Sequence, residues 1–121
     1  MNVDRVLHIF MKMRVWDLPP GILCRKHLLG EHREIHAIWA ILTGGRKGYS
    51  RHPETLRWKG RLRALYIRHG RIAGELGKRG YRHSSPLDEN LARGAARQTK
   101  YVNTVEEQKE ILKGKGCECR V

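Results

Sequence analysis

Two stretches of this chain space their apolar residues as one buried face of a helix requires, and no stretch alternates long enough to build a sheet. From about Ile22 to Leu42 the apolar side chains fall at Leu28, Ile35, Ile38, Trp39 and Leu42, returning to one side of a helix. From about Pro53 to Lys78 the pattern runs through Leu56, Leu62, Leu65, Tyr66, His69, Ile72, Ala73 and Leu76, with arginines on the other faces. Gly60, Gly70, Gly74 and Gly77 each weaken that helix by up to about 1 kcal/mol relative to Ala, and Gly80 supplies a stop. Thr104 followed by Glu107 is a capping-box signature for a last helix ending near Lys113. Asp17 and the Pro19-Pro20 pair interrupt regular structure, 43–53 is a loop by its glycines and proline, and 82–101 is a long surface connection. The expectation is an all-α, compact single domain of about three helices without substantial sheet. It divides into residues 1–12, an N-terminal extension or a mis-set start, and a helical domain over residues 13–121.

Charge narrows the partner. Lys and Arg number 25 against 12 Asp and Glu, a formal +13 over 121 residues. From Gly44 to Arg82 there are twelve Lys or Arg against Glu54 and Glu75, so this stretch holds +10 of that charge. Such a field favours a polyanion, because each phosphate contact releases condensed counterions. Arg46, Lys47, Arg51, Arg57, Arg61 and Arg82 are the candidate phosphate contacts here, a solvated basic face being the plainer alternative. No apolar run approaches the roughly 20 residues needed to span a bilayer, so no membrane partner is expected. Three cysteines, an odd number, argue against a disulfide framework and suit a reducing cytoplasm.

Inside the first helix, His27, Glu31 and Glu34 lie within roughly 60° of one another. Three roles remain open for this stripe at the edge of an apolar face. It can be solvated surface paired with Lys26, His32 or Arg33, or a metal site short of ligands. It can also hold a carboxylate with a shifted pKa beside a DNA-facing cationic surface, as general acid–base work needs.

The run "MRVWDLP…H…GEHREIHAIW", then "GYSRHPETLRWKGRL" and "KRGYRHSSPLD", resembles the pyrimidine-dimer DNA glycosylase family, the group of the phage ultraviolet-repair endonuclease. The likeness covers about Met13 to Asp88 well. It implies a compact helical protein that bends double-stranded DNA at a pyrimidine dimer, cleaves the glycosidic bond of the 5′ pyrimidine, and cuts at the abasic sugar by β-elimination. The nucleophile it implies is a terminal α-amine, which falls at Met13, and the acid–base glutamate falls at Glu34. Arg14 and Arg33 fall on arginines that grip phosphates near the lesion, and His27 on an active-site histidine. An α-amine, with a pKa near 8, is roughly one-tenth free base at pH 7, whereas a lysine near 10.4 is far less so.

Two departures stand out. The aromatic- and lysine-rich tail of the phage enzyme has no counterpart in "GKGCECRV", and Ala37 stands where a further phosphate-gripping arginine would suit the family. The pattern begins so abruptly at Met13 that we expect translation to start there, since an internal Met13 would present an amide unable to form a Schiff base. The competing reading is a small basic nucleic-acid-binding protein without catalysis, associated with RNA or the ribosome. Glu34 separates the two, because a purely phosphate-binding face has no use for a carboxylate. Cys117 and Cys119, with Cys24 or a histidine, form a weak zinc signal; no metal or cofactor is expected. Trp39 is expected in the core and Trp58 at the surface. The remaining expectations are a monomer, cytoplasmic and nucleoid-associated, acting on DNA that contains pyrimidine dimers or abasic sites.

Overall fold

The computed structural model describes residues 14–45, 51–82 and 85–121, and among them every regular element is helical. Helix α1 spans Arg25–Gly44, α2 Pro53–Leu56, α3 Leu62–Lys78 and α4 Val105–Gly114, with short 3-10 turns at Pro20–Ile22 and Glu89–Leu91. The expected all-α class and its three main helices are therefore present. Met13, Arg46 and Lys47 lie outside the described residues.

Helix α1 packs along α3, and the core lies between them. Leu28, Ile35, Ile38 and Trp39 meet Leu65, Ile72 and Leu76, capped by Leu112 of α4 and by Val15, Leu18 and Leu23 of the N-terminal segment. Trp39 is buried as its spacing predicts. The chain leaves α1 through Gly45 at φ 69, whose N–H donates to the Ile41 carbonyl. Thr104 and Glu107 form the capping box of α4, each side chain accepting from the other residue's backbone N–H.

The long helix expected over 53–78 is broken. It stops after Leu56, crosses a turn containing Gly60 at φ 77, and restarts at Leu62. The reason lies in the segment expected to be a featureless connection. Arg93 and Ala95 carbonyls accept from the Arg63 and Ala64 N–H groups, filling the role of a side-chain cap at the start of α3. Gly94 comes so close that a Cβ there would stand 2.2 Å from the Gly60 carbonyl oxygen, so the contact requires glycine. The break also reverses two side-chain expectations. Leu56 is 47% exposed, and Trp58, expected at the surface, is 2% exposed with its indole N–H donating to Glu54 Oε1 at 3.4 Å.

Candidate active site

Residues 14–18 have no regular structure of their own, so their backbone polar groups need partners elsewhere. Four elements supply them. Val15 N–H donates to Glu54 of α2 at 3.1 Å, Trp16 N–H to Glu31 of α1 at 2.9 Å, and Asp17 N–H to Gln108 of α4 at 2.8 Å. Arg57 donates to the Val15 carbonyl and Arg68 of α3 to the Leu18 carbonyl. The segment is thereby pinned across the start of α1.

Apart from the neutral Gln108, the side chains that pin it are buried ions, and each is matched. Glu31 is 1% exposed and meets Arg68 through two contacts, Nε to Oε2 at 2.6 Å and Nη2 to Oε1 at 3.1 Å. Burial pushes the Glu31 carboxyl above its ordinary pKa, opposed by Arg68 and the Trp16 N–H. Arg57 donates to Glu54, Asp17 and the carbonyls of Val15 and Lys100, and its carboxylate neighbours raise its pKa against burial. Expected among the phosphate contacts, Arg57 instead directs its guanidinium into the fold. Arg68, expected on an outer face of its helix, also points inward.

Beside the pinned segment is an open cleft of about 240 Å³ lined by Arg14, Trp16, Lys26, His27, Gly30, Glu31, Arg33, Glu34 and Lys115. The helical stripe thus divides: Glu31 turns inward to Arg68, while Glu34 stands in the cleft, half-buried. Burial raises the Glu34 pKa above the ordinary glutamate value; Arg33 opposes that shift and Glu54 adds to it. Arg14 is 9% exposed, stacks its guanidinium 5.0 Å from the Trp16 ring centroid, and donates from Nη1 to Asn103. Its Nε–H is buried without a hydrogen-bond partner among the described residues, and burial lowers its pKa. The His27 ring meets Trp16 edge-on at 5.8 Å, and burial, then Lys115 and Lys26, hold its pKa below the usual histidine value.

Of the residues expected at a site, the cleft gathers Arg14, His27, Arg33 and Glu34. Arg51 and Arg82 are exposed and Arg61 donates to Thr99; none of the three lines the cleft. Lys26 and Lys115 belong to it without having been singled out. Lys26 is one position before His27 and could have been read from the helix; Lys115 arrives from the far end of the chain and carried no local signal.

A carboxylate of raised pKa, ringed by five cationic or imidazole side chains at the foot of a pinned N-terminal segment, suits proton transfer beside a bound phosphate backbone. Neither a curated protein nor a solved structure gives a significant match to this chain. The sequence pattern of one family does match, over residues 13–89, and on that match the chain belongs to the pyrimidine dimer DNA glycosylases.

Proposed function

We propose that this chain is a glycosylase for pyrimidine dimers in double-stranded DNA that also cuts the strand by β-elimination. Its nucleophile is the α-amine of Met13 as the chain terminus, and its acid–base group is Glu34. The observation that carries this reading is the company of Glu34: Arg14, the residue bonded to Met13, lines the same cleft. Drug-sized sites run to roughly 300–1,000 Å³, so a cleft of about 240 Å³ suits one sugar, with the dinucleotide lesion outside it.

The amine lone pair attacks C1′ as the N-glycosidic bond breaks and the base leaves with the bonding electrons. Glu34 takes the proton released by the amine and returns it to the ring oxygen as the sugar opens, leaving an iminium on C1′. Glu34, again a carboxylate, takes a C2′ proton as the 3′ phosphate leaves with the C3′–O bonding electrons, and water hydrolyses the iminium to free the enzyme. Arg14, Arg33, Lys26 and Lys115 offset phosphate charge in DNA bent and opened at the lesion, a distortion costing a few kcal/mol.

Borohydride trapping on abasic-site DNA tests the reading. A chain beginning at Met13 should give a covalent adduct mapping to the Met13 peptide, and Glu34→Gln should lose trapping while keeping DNA affinity. A Met13-initiated chain that binds DNA but gives no adduct is a non-catalytic nucleic-acid-binding protein.

A further inference from the structure

Next to the Glu34 cleft, and sharing Lys26, His27 and Lys115 with it, is a larger cavity of about 620 Å³ bounded also by Cys24 and Cys117. One ligand atom each from Cys24, His27, Cys117 and Cys119 lies within 4.8 Å of all the others. His27 Nδ1 is 3.1 Å from Cys24 Sγ and 3.4 Å from Cys119 Sγ. A tetrahedron with Zn–S near 2.3 Å and Zn–N near 2.0–2.1 Å has S···S edges of about 3.8 Å and S···N edges of about 3.6 Å. The four donors therefore approach the edges of a zinc polyhedron, and small side-chain rotations complete it.

We propose that Cys24, His27 through Nδ1, Cys117 and Cys119 form a Cys3His site for Zn2+ that clasps the C-terminal tail to the start of α1. Both halves are built for it. Cys24 is the N-cap residue of α1 and His27 stands one turn later, so the helix fixes one pair. Gly116, at φ 64, turns the chain after α4, and the Arg120 N–H donates to the Ile22 carbonyl at 2.8 Å, holding the Cys-x-Cys pair over it. The Cys24 backbone N–H donates to Cys119 Sγ at 3.1 Å, the outer contact that steadies a metal thiolate. All three cysteines are free and partly accessible. Three thiolates and one imidazole select a soft, tetrahedral ion over magnesium or calcium, and Lys26 and Lys115 offset the charge of the loaded site. On binding, three thiol protons leave to solvent, Nδ1 donates its lone pair, and no electrons are exchanged. A metal on Nδ1 leaves Nε2 as the N–H donor of a ring that also walls the Glu34 cleft.

The test uses the full chain under reductant. Native mass spectrometry of the wild type should show one zinc per chain. Replacement by Co2+ should give the visible bands of a tetrahedral ion together with thiolate-to-metal charge transfer. Outer-sphere changes already cost about 10–100-fold in affinity, so Cys117→Ser and Cys119→Ser should each weaken zinc by about 100-fold or more, with circular dichroism reporting that each variant folds. Substoichiometric zinc in the wild type with three freely reacting thiols overturns the proposal, as does a disulfide formed among them in its place. So does undiminished zinc in the variant with all three cysteines changed to serine. That result would move the ion to His32, His36 and His69, whose ring nitrogens also lie within 4.8 Å of one another.

Discussion

Replacing Arg68 with methionine keeps an unbranched side chain in the core but leaves Glu31, 1% exposed, without its counter-charge. It removes the two contacts to Glu31, at 2.6 and 3.1 Å, and the 2.8 Å donation to the Leu18 carbonyl. Breaking one side of a buried pair costs about 3–5 kcal/mol, a large share of the roughly 5–15 kcal/mol that holds a domain folded. At about 4 °C per kcal/mol for a chain of this size the melting midpoint should fall by about 12–20 °C. The loss should also grow with pH. Burial already raises the Glu31 pKa, and Arg68 is the first influence opposing it, so its removal drives that pKa higher. A carboxyl whose folded pKa lies above the unfolded value near 4.3 stabilises the fold below that value, and the contribution disappears as pH rises through the folded pKa. Arg68→Met should therefore be less impaired at pH 5 than at pH 8. Adding Glu31→Gln should recover about 2 kcal/mol at the higher pH, because the amide still accepts from Trp16 N–H and carries no charge. Urea denaturation of the four proteins at both pH values measures this. A loss below about 1 kcal/mol without pH dependence would show that water reaches the pair and refute the reasoning.

Glu34→Gln should lower turnover about 10²–10⁴-fold. Wild-type activity should fall as pH drops through a Glu34 pKa above the ordinary glutamate value, with Arg14, Lys26, His27, Arg33, Lys115 and the inward Glu31 around it, and the variant should lose that acidic limb. Arg33→Ala should weaken binding of lesion-containing DNA and reduce the salt slope of that binding by about 1. Gly94→Ala combines φ 85 with a Cβ 2.2 Å from the Gly60 oxygen and should cost about 2–5 kcal/mol. Gly80→Ala, at φ 88 with nothing within 4 Å of the added atom, should cost only about 1–2 kcal/mol in the same thermal melts.

Legibility followed the range of the interaction. Helix α1, the capping box of α4 and the stop at Gly80 rest on contacts a few residues apart, and periodicity or turn chemistry revealed them; the loop expected from residue 43 begins instead after Gly44. The division of the stripe into an inward Glu31 and a cleft-facing Glu34 depended on Arg68, 37 positions from Glu31, which charge counting placed on an outer face. The break at Gly60 depended on Gly94, whose role appears only when two backbones meet. Trp58 was misplaced for the same reason, since an unbroken helix would have turned its ring outward. Within the site, Glu34, Arg33 and Arg14 were drawn from family resemblance and Lys115 is a product of tertiary folding alone, whereas the grouping of Cys24 with Cys117 and Cys119 was legible only as a weak zinc signal, since its closure across 95 positions depends on the fold.

The pinning of residues 14–18 sets an order of events during synthesis. The ribosome makes this segment before any of its partners, and Gln108, which holds Asp17 across 91 positions, is among the later ones. The contacts to Glu31, Glu54, Arg57 and Arg68 can form earlier, but this fastening, like the packing of Leu112 into the core, waits for the final helix to emerge. A nascent chain therefore carries residues 14–18, and with them the Arg14 and Trp16 walls of the cleft, unset until nearly all of its length has been translated, and the candidate site is completed as one of the last acts of folding.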